Sequence, residues 1–139
     1  MAFLPSVDIV GSALTAERYR TDVILQNIAN AKTLETSTGE PYRRKQVVFE
    51  ERPLTFQQAL EEAKGGVRIS EVVESDRDFN LVYDPTHPKA NAEGYVEYPN
   101  VDTTEEMVDL MEASNAYNAN LTVFSLLKSM INKALEMDK

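Results

Sequence analysis

Residues 104–137 read TEEMVDLMEASNAYNANLTVFSLLKSMINKALEM, and this stretch decides the fold. No Gly or Pro interrupts it, so it predicts one helix of about 34 residues, roughly 50 Å long at ~1.5 Å per residue. Leu110, Tyr117, Phe124 and Ile131 recur at heptad spacing. Met107, Leu121 and Leu135 form a row beside them, broken at Ser114 and Lys128. A small globular core does not bury a seam so narrow and so long. It asks for a second long helix, in the same chain or in a neighbour.

The lead-in Pro99-Asn-Val-Asp102 offers Asp102 or Thr103 as the N-cap. Glu105, Glu106 and Asp109 suit the positive end of the helix dipole, and Lys128 and Lys133 the negative end. The obvious partner lies at the other end of the chain. Residues 6–32 carry Val7, Val10, Leu14, Thr21, Ile24, Ile28 and Ala31 at a period of about 3.5–3.6, with Glu17, Arg18, Arg20 and Asp22 on the opposite face. Ser6 is placed to cap this helix, with Asp8 in its first turn. Asn27 and Asn30 stand one turn apart at its end among small Ala29 and Ala31. Asparagine is a poor helix former, because its amide competes for the backbone. Two of them imply either a crowded polar interface or a fraying terminus.

Between the helices the signals change period. Residues 33–41 are loop, and Tyr42 to Glu50 reads as a strand ending in Val47, Val48 and Phe49. Residues 55–64 read as a short helix or an insertion closed by Gly65-Gly66. Val67 to Glu74, Phe79 to Tyr83 and Tyr95 to Tyr98 read as three further strands, with turn sequences over Asp84–Pro88 and Asn91–Gly94. The expected fold is therefore α+β. Residues 1–33 and 100–139 form a coiled-coil-like helical domain, and residues 34–99 a small β-rich module.

Composition narrows the function. With 139 residues the chain has one domain's worth of sequence. A net charge of −9 speaks against nucleic acid and anionic membrane surfaces as partners. The absence of cysteine removes disulfides, thiolate metal sites and thiol catalysis. No run approaches the ~20 apolar residues of a membrane span, and the N-terminus lacks the basic and apolar regions of a cleaved secretory signal. Asp76-Arg-Asp-Phe-Asn80 copies the start of a calcium loop, but Leu81 stands where that loop needs Gly and His87 where it needs Glu. His87, the single histidine, has no second His or Cys with which to share a metal, and between Pro85 and Pro88 it reads as a turn residue. The paired acids Glu50-Glu51, Glu61-Glu62 and Glu105-Glu106 read as solvated or helix-start residues, and the run Arg43-Arg-Lys45 as a solvated strand face. We expect no catalytic residue, no metal and no cofactor, and read the chain as an assembly protein.

Several of these segments carry a resemblance. Leu25-Gln-Asn-Ile-Ala-Asn-Ala-Lys-Thr33 resembles the signature shared by bacterial flagellar rod and hook proteins. Pro41–Phe49, Val82–Pro88, Gly94–Val96, Pro99–Asp102 and Glu106–Ser114, followed by Tyr117 and Asn120, resemble the proximal-rod branch of that family, in order and over nearly the whole chain. Asn115 stands where the family commonly has Arg, so a basic contact is not carried over there. The Pro-Gly turn of hook-type relatives is absent, in agreement with a rod protein.

The resemblance implies a non-catalytic subunit that leaves the cytoplasm through the flagellar type III export apparatus without signal cleavage. It then polymerises with other copies and other rod proteins in the basal body, outside the cytoplasmic membrane. The residues expected to pair the helices or join subunits are Val10, Leu14, Ile24, Asn27, Ile28 and Asn30 on the first helix. On the second they are Leu110, Tyr117, Asn120, Leu121, Phe124 and Ile131. Another axial protein of the same family, or a soluble coiled-coil adaptor forming a closed dimer, stands as the alternative.

Overall fold

A computed structural model describes residues 3–53 and 65–137. The expected short helix at 55–64 lies outside the described residues. In chain order the elements are α1 (Phe3–Ala29), β1 (Lys45–Glu51), β2 (Val67–Glu74), β3 (Asn80–Tyr83), β4 (Tyr95–Tyr98) and α2 (Thr103–Met137). In sequence, two long helices flank a small antiparallel β region, so the chain is α+β.

The boundaries follow local chemistry. Asp102 caps α2: its Oδ1 accepts the Thr104 N–H at 2.8 Å and the Glu105 N–H at 3.4 Å. Those bonds hold the Asp102 carboxyl below its ordinary range. Helix α1 begins at Phe3, so Ser6 lies within it instead of capping it. It stops at Ala29, earlier than periodicity alone suggested, because Asn30 closes it locally. The Asn30 amide donates to Gln26 O at 2.9 Å, and its Oδ1 accepts from Thr33 Oγ1 at 3.1 Å.

The helices run antiparallel. Asn27, near the end of α1, meets Glu106 near the start of α2, and about two turns further along Arg20 reaches Glu112 at 3.2 Å. Strand β1 returns along the other side of α1. Its start is bound to Asn27, and Arg52, just past its end, donates to Asp8 at 3.0 Å. Strand β2 pairs with β1, with a register shift at Val48/Phe49. Helix α1 is thus the middle layer, between α2 and the β1–β2 ribbon. The ribbon approaches closely at Gly66, where φ is +80° and Ser12 Oγ lies 2.5 Å from where a Cβ would stand. Ser12 Oγ accepts the neighbouring Val67 N–H at 3.0 Å.

A second ribbon, β3–β4, is held at its base and at the connection between its strands. Asn80 donates to Pro99 O at 2.8 Å, Lys89 pairs with Glu35, and Arg43 stacks 4.2 Å over the Phe79 ring. The turns expected between its strands are built as Asx turns. Asp84 Oδ1 accepts from Thr86 N and Oγ1, and Asn91 Oδ1 accepts from Glu93 N and Tyr95 N. His87 Nδ1 accepts the Lys89 N–H at 3.1 Å, the part of a turn residue.

Candidate assembly surface

Two features of the helix pair bear on function: a sealed polar junction at one end and an unsealed apolar surface along the rest.

The junction forms where α1 ends, β1 begins and α2 begins. Asn27 is 1 % exposed and Glu106 0 %. The Asn27 amide is saturated. Its Nδ2 donates to Lys45 O at 2.8 Å and to Glu106 Oε2 at 2.9 Å, and its Oδ1 accepts from Tyr42 OH and Lys45 N, each at 2.9 Å. Arg44 is buried beside it. Its Nε donates to Glu106 Oε1, and its Nη2 to Asp109 Oδ2 at 2.7 Å. Glu105 stands 3.6 Å from the same guanidinium. Asn100 extends the network: its Oδ1 accepts the Arg44 N–H at 2.7 Å, and its Nδ2 donates to Ser75 O and Arg77 O. Burial and the nearby Glu106 charge push the Tyr42 phenol above its ordinary range, which keeps it a hydrogen-bond donor.

Two expectations are corrected here. Arg44 is not on a solvated strand face, and Glu106, in the first turn of α2, is a helix-start residue but not a solvated one. Each is buried because the other neutralises it, which no run of like charges in the sequence discloses. Within the junction Arg44 and Glu106 neutralise each other, and the Asn27 amide has no donor or acceptor left over. Among the described residues, no group of three or more His, Asp or Glu could hold a metal ion.

Along the helices the seam differs from expectation in one row. Leu110, Tyr117, Phe124 and Ile131 are half-buried, as one edge of the seam. The other edge is Glu106, Ala113, Asn120 and Leu127, not Met107, Leu121 and Leu135. Met107, Leu121 and Leu135 are 56 %, 44 % and 61 % exposed, so the breaks at Ser114 and Lys128 fall on an outward-facing row. Both rows keep heptad spacing. Apolarity favoured the wrong one, because the buried row contains a Glu and an Asn that are satisfied and an Ala too small to stand out. On α1, Ile24 is buried, and Val10, Leu14 and Ile28 are half-buried. The deepest positions include Ser12, Ala16 and Val23. The small side chain at Ala113, 0 % exposed, allows the helix axes to approach. Of the three asparagines expected to join helices or subunits, Asn27 bonds across to α2, Asn30 bonds its own helix end, and Asn120 is half-buried in the seam.

The chain leaves much apolar surface uncovered. Its accessible area is 9931 Å², against about 7,200 Å² for a compact folded monomer of this mass. Among the described residues seven apolar side chains are buried, while eighteen large ones are exposed. Half of those eighteen lie on α2, among them Met111, Val123, Leu126 and Met130. Scattered exposed leucines are ordinary, but a continuous series along one helix marks an interaction surface.

Comparison with known proteins agrees. The chain is 45 % identical to the flagellar basal-body rod protein FlgC of Bacillus subtilis, over all of both chains. It is 46 % identical to FlgC of Escherichia coli O6:H1, covering 99 % of this chain and 98 % of that one. This chain belongs to the FlgC family. A more distant FlgC, from Borreliella burgdorferi, is 40 % identical over 97 % of each chain. Residues 92–137 also match the family described as flagellar basal body rod FlgEFG protein, C-terminal. That match takes in β4 and the whole of α2, the element with the most exposed apolar surface. As a FlgC-family member the chain is a structural subunit of the flagellar basal-body rod, beyond the cytoplasmic membrane. No helix among the described residues is long and apolar enough to cross a membrane.

Proposed function

We propose that this chain polymerises with other copies of itself and with other rod proteins into the proximal rod, which transmits motor torque and encloses part of the export channel. Residues 1–33 and 100–139 form the inner, helical wall, and residues 34–99 an outer module. The observation that carries this is the long exposed apolar surface of α2, which a single chain leaves open and which neighbouring subunits would cover. The chain reaches its place through the flagellar type III export apparatus, without cleavage. We read it as non-enzymatic: the buried polar groups of the junction, Asn27, Arg44 and Glu106, are spent on one another.

Deletion and complementation test the reading. Cells lacking this chain should assemble no rod beyond the point it occupies and should not swim. The unaltered chain should restore both, and Phe124→Asp, which places a charge in the seam, should restore neither. Complete rods in the deletion strain, or normal rods built with Phe124→Asp, would overturn it.

A further inference from the structure

Helix α2 carries three stripes. Leu110, Tyr117, Phe124 and Ile131, with the row of Ala113, Asn120 and Leu127, face α1. On one flank of that seam, Ala119, Val123, Leu126 and Met130 continue the heptad spacing as a second apolar stripe. Val123, Leu126 and Met130 are 45–60 % exposed. No charged side chain occurs between Glu112 and Lys128, so nothing on the stripe resists burial. On the other flank, α1 and α2 enclose an apolar-floored groove of about 590 Å³, lined by Arg18, Thr21, Leu25, Leu110, Ser114 and Tyr117. At 3.6 residues per turn, Tyr117, on the wall of that groove, and Leu126, nine residues on, point to opposite sides of α2. The third stripe, opposite α1, is neutral and polar: Asn115, Asn118, Thr122, Ser125, Ser129 and Asn132 are all exposed. The Thr122, Ser125 and Ser129 hydroxyls donate to carbonyls one turn back.

We propose that copies of this chain pack side by side through unlike flanks, the stripe Ala119–Met130 of one copy seated in the Arg18–Leu25/Leu110–Tyr117 groove of the next. This rests on the reading of the chain as a rod subunit. The occupant is a second copy because the stripe continues the period of the seam that already joins α1 to α2. It therefore offers a helix pair the kind of surface that one helix of the pair already accepts. Stripe and groove lie on opposite flanks, so the contact is heterologous. Each seated copy presents a fresh stripe or groove, and the assembly does not close as a two-fold dimer. The neutral polar stripe remains outside the contact.

The chain has no cysteine, so thiol cross-linking reads the contact directly. Leu25 and Leu126 are both substantially exposed, and Leu25→Cys and Leu126→Cys leave the core intact. The two single variants are mixed as full-length proteins at high concentration, and co-expressed in swimming cells, then treated with a short bis-maleimide. The expected result is a mixed adduct, with either variant alone at background and the double variant giving a ladder. Adducts of Leu126→Cys with itself would show a stripe-on-stripe dimer and overturn the proposal. So would the absence of mixed adducts from isolated basal bodies that contain the chain. Absence of the chain from basal bodies would instead overturn the rod reading, and mixed adducts in solution would then still support the contact.

Discussion

A buried guanidinium needs more than one partner, and Arg44 has Glu106, Asp109 and the edge of Glu105. Removing one member of such a buried pair leaves the other charged and unsolvated, at a cost of about 3–5 kcal/mol. Arg44→Met and Glu106→Leu should each lose stability of that order in urea unfolding, and the double change should lose much less than the two single losses combined. Arg44→Lys should not rescue, since an ammonium lacks the fork that serves Glu106 and Asp109 together. Glu17 shows the opposite situation. Its Oε2 is buried without a hydrogen-bond partner, and Arg20 stands 3.8 Å away. Desolvation raises its pKa above the ordinary 4.5, although Arg20 pulls it down. The folded chain therefore binds this proton more tightly than the unfolded chain. Stability is lost as pH rises from the unfolded value through the folded one. Glu17→Gln should accordingly stabilise the protein at pH 7 and lose that advantage below about pH 4, as thermal melts at the two pH values would read. The sequence shows each of these charges but not its surroundings. Arg44 was legible as basic and not as buried, because burial depends on a carboxylate sixty-two residues away.

Among the elements, the ribbon β1–β2 is fixed to α1 at three points: Asn27 at one end, and Ser12 and Asp8 together at the other. Gly66 is the narrowest. A Cβ there would meet both a left-handed backbone and Ser12 Oγ. Gly66→Ala should destabilise by more than about 1 kcal/mol. Adding Ser12→Ala should return only part of the loss, because it relieves the clash and leaves the backbone strain. Urea midpoints of the three variants would separate the two contributions. The strands themselves were legible from turn residues and short apolar runs, within about three residues of their observed ends. Their pairing was not, since the sequence does not say that one ribbon lies on α1 while the other is held by Asn80, Asn100 and Lys89.

At the scale of the whole molecule, the helices are unequal: α1 has 27 residues and α2 has 35. With Asn27 opposite Glu106, the last turns of α2 run beyond Phe3, where α1 begins, and Leu135 and Met137 are 61 % and 87 % exposed there. Isolated helix ends without tertiary packing are marginal in water. Hydrogen exchange in dilute solution should therefore show fast exchange in the last turns of α2 and the slowest near Ala113 and Asn27. Circular dichroism should show less helix than the structure contains, rising with concentration. Full helicity at high dilution, with uniform protection along α2, would contradict the view that neighbours complete the fold.

What the sequence determined by itself was the existence, type and approximate length of both helices, the β character of the middle and the absence of cysteine chemistry. Those follow from period, turn chemistry and composition, which are local. Tertiary structure alone decided which heptad row of Thr103–Met137 faces inward. Met107, Leu121 and Leu135 are the more apolar row, yet Glu106, Ala113, Asn120 and Leu127 occupy the seam. Asn27 and Arg44 satisfy Glu106 there, and the small Ala113 lets the helices close. Apolarity ranks rows by transfer from water, whereas packing ranks them by fit and by partners supplied from elsewhere in the chain.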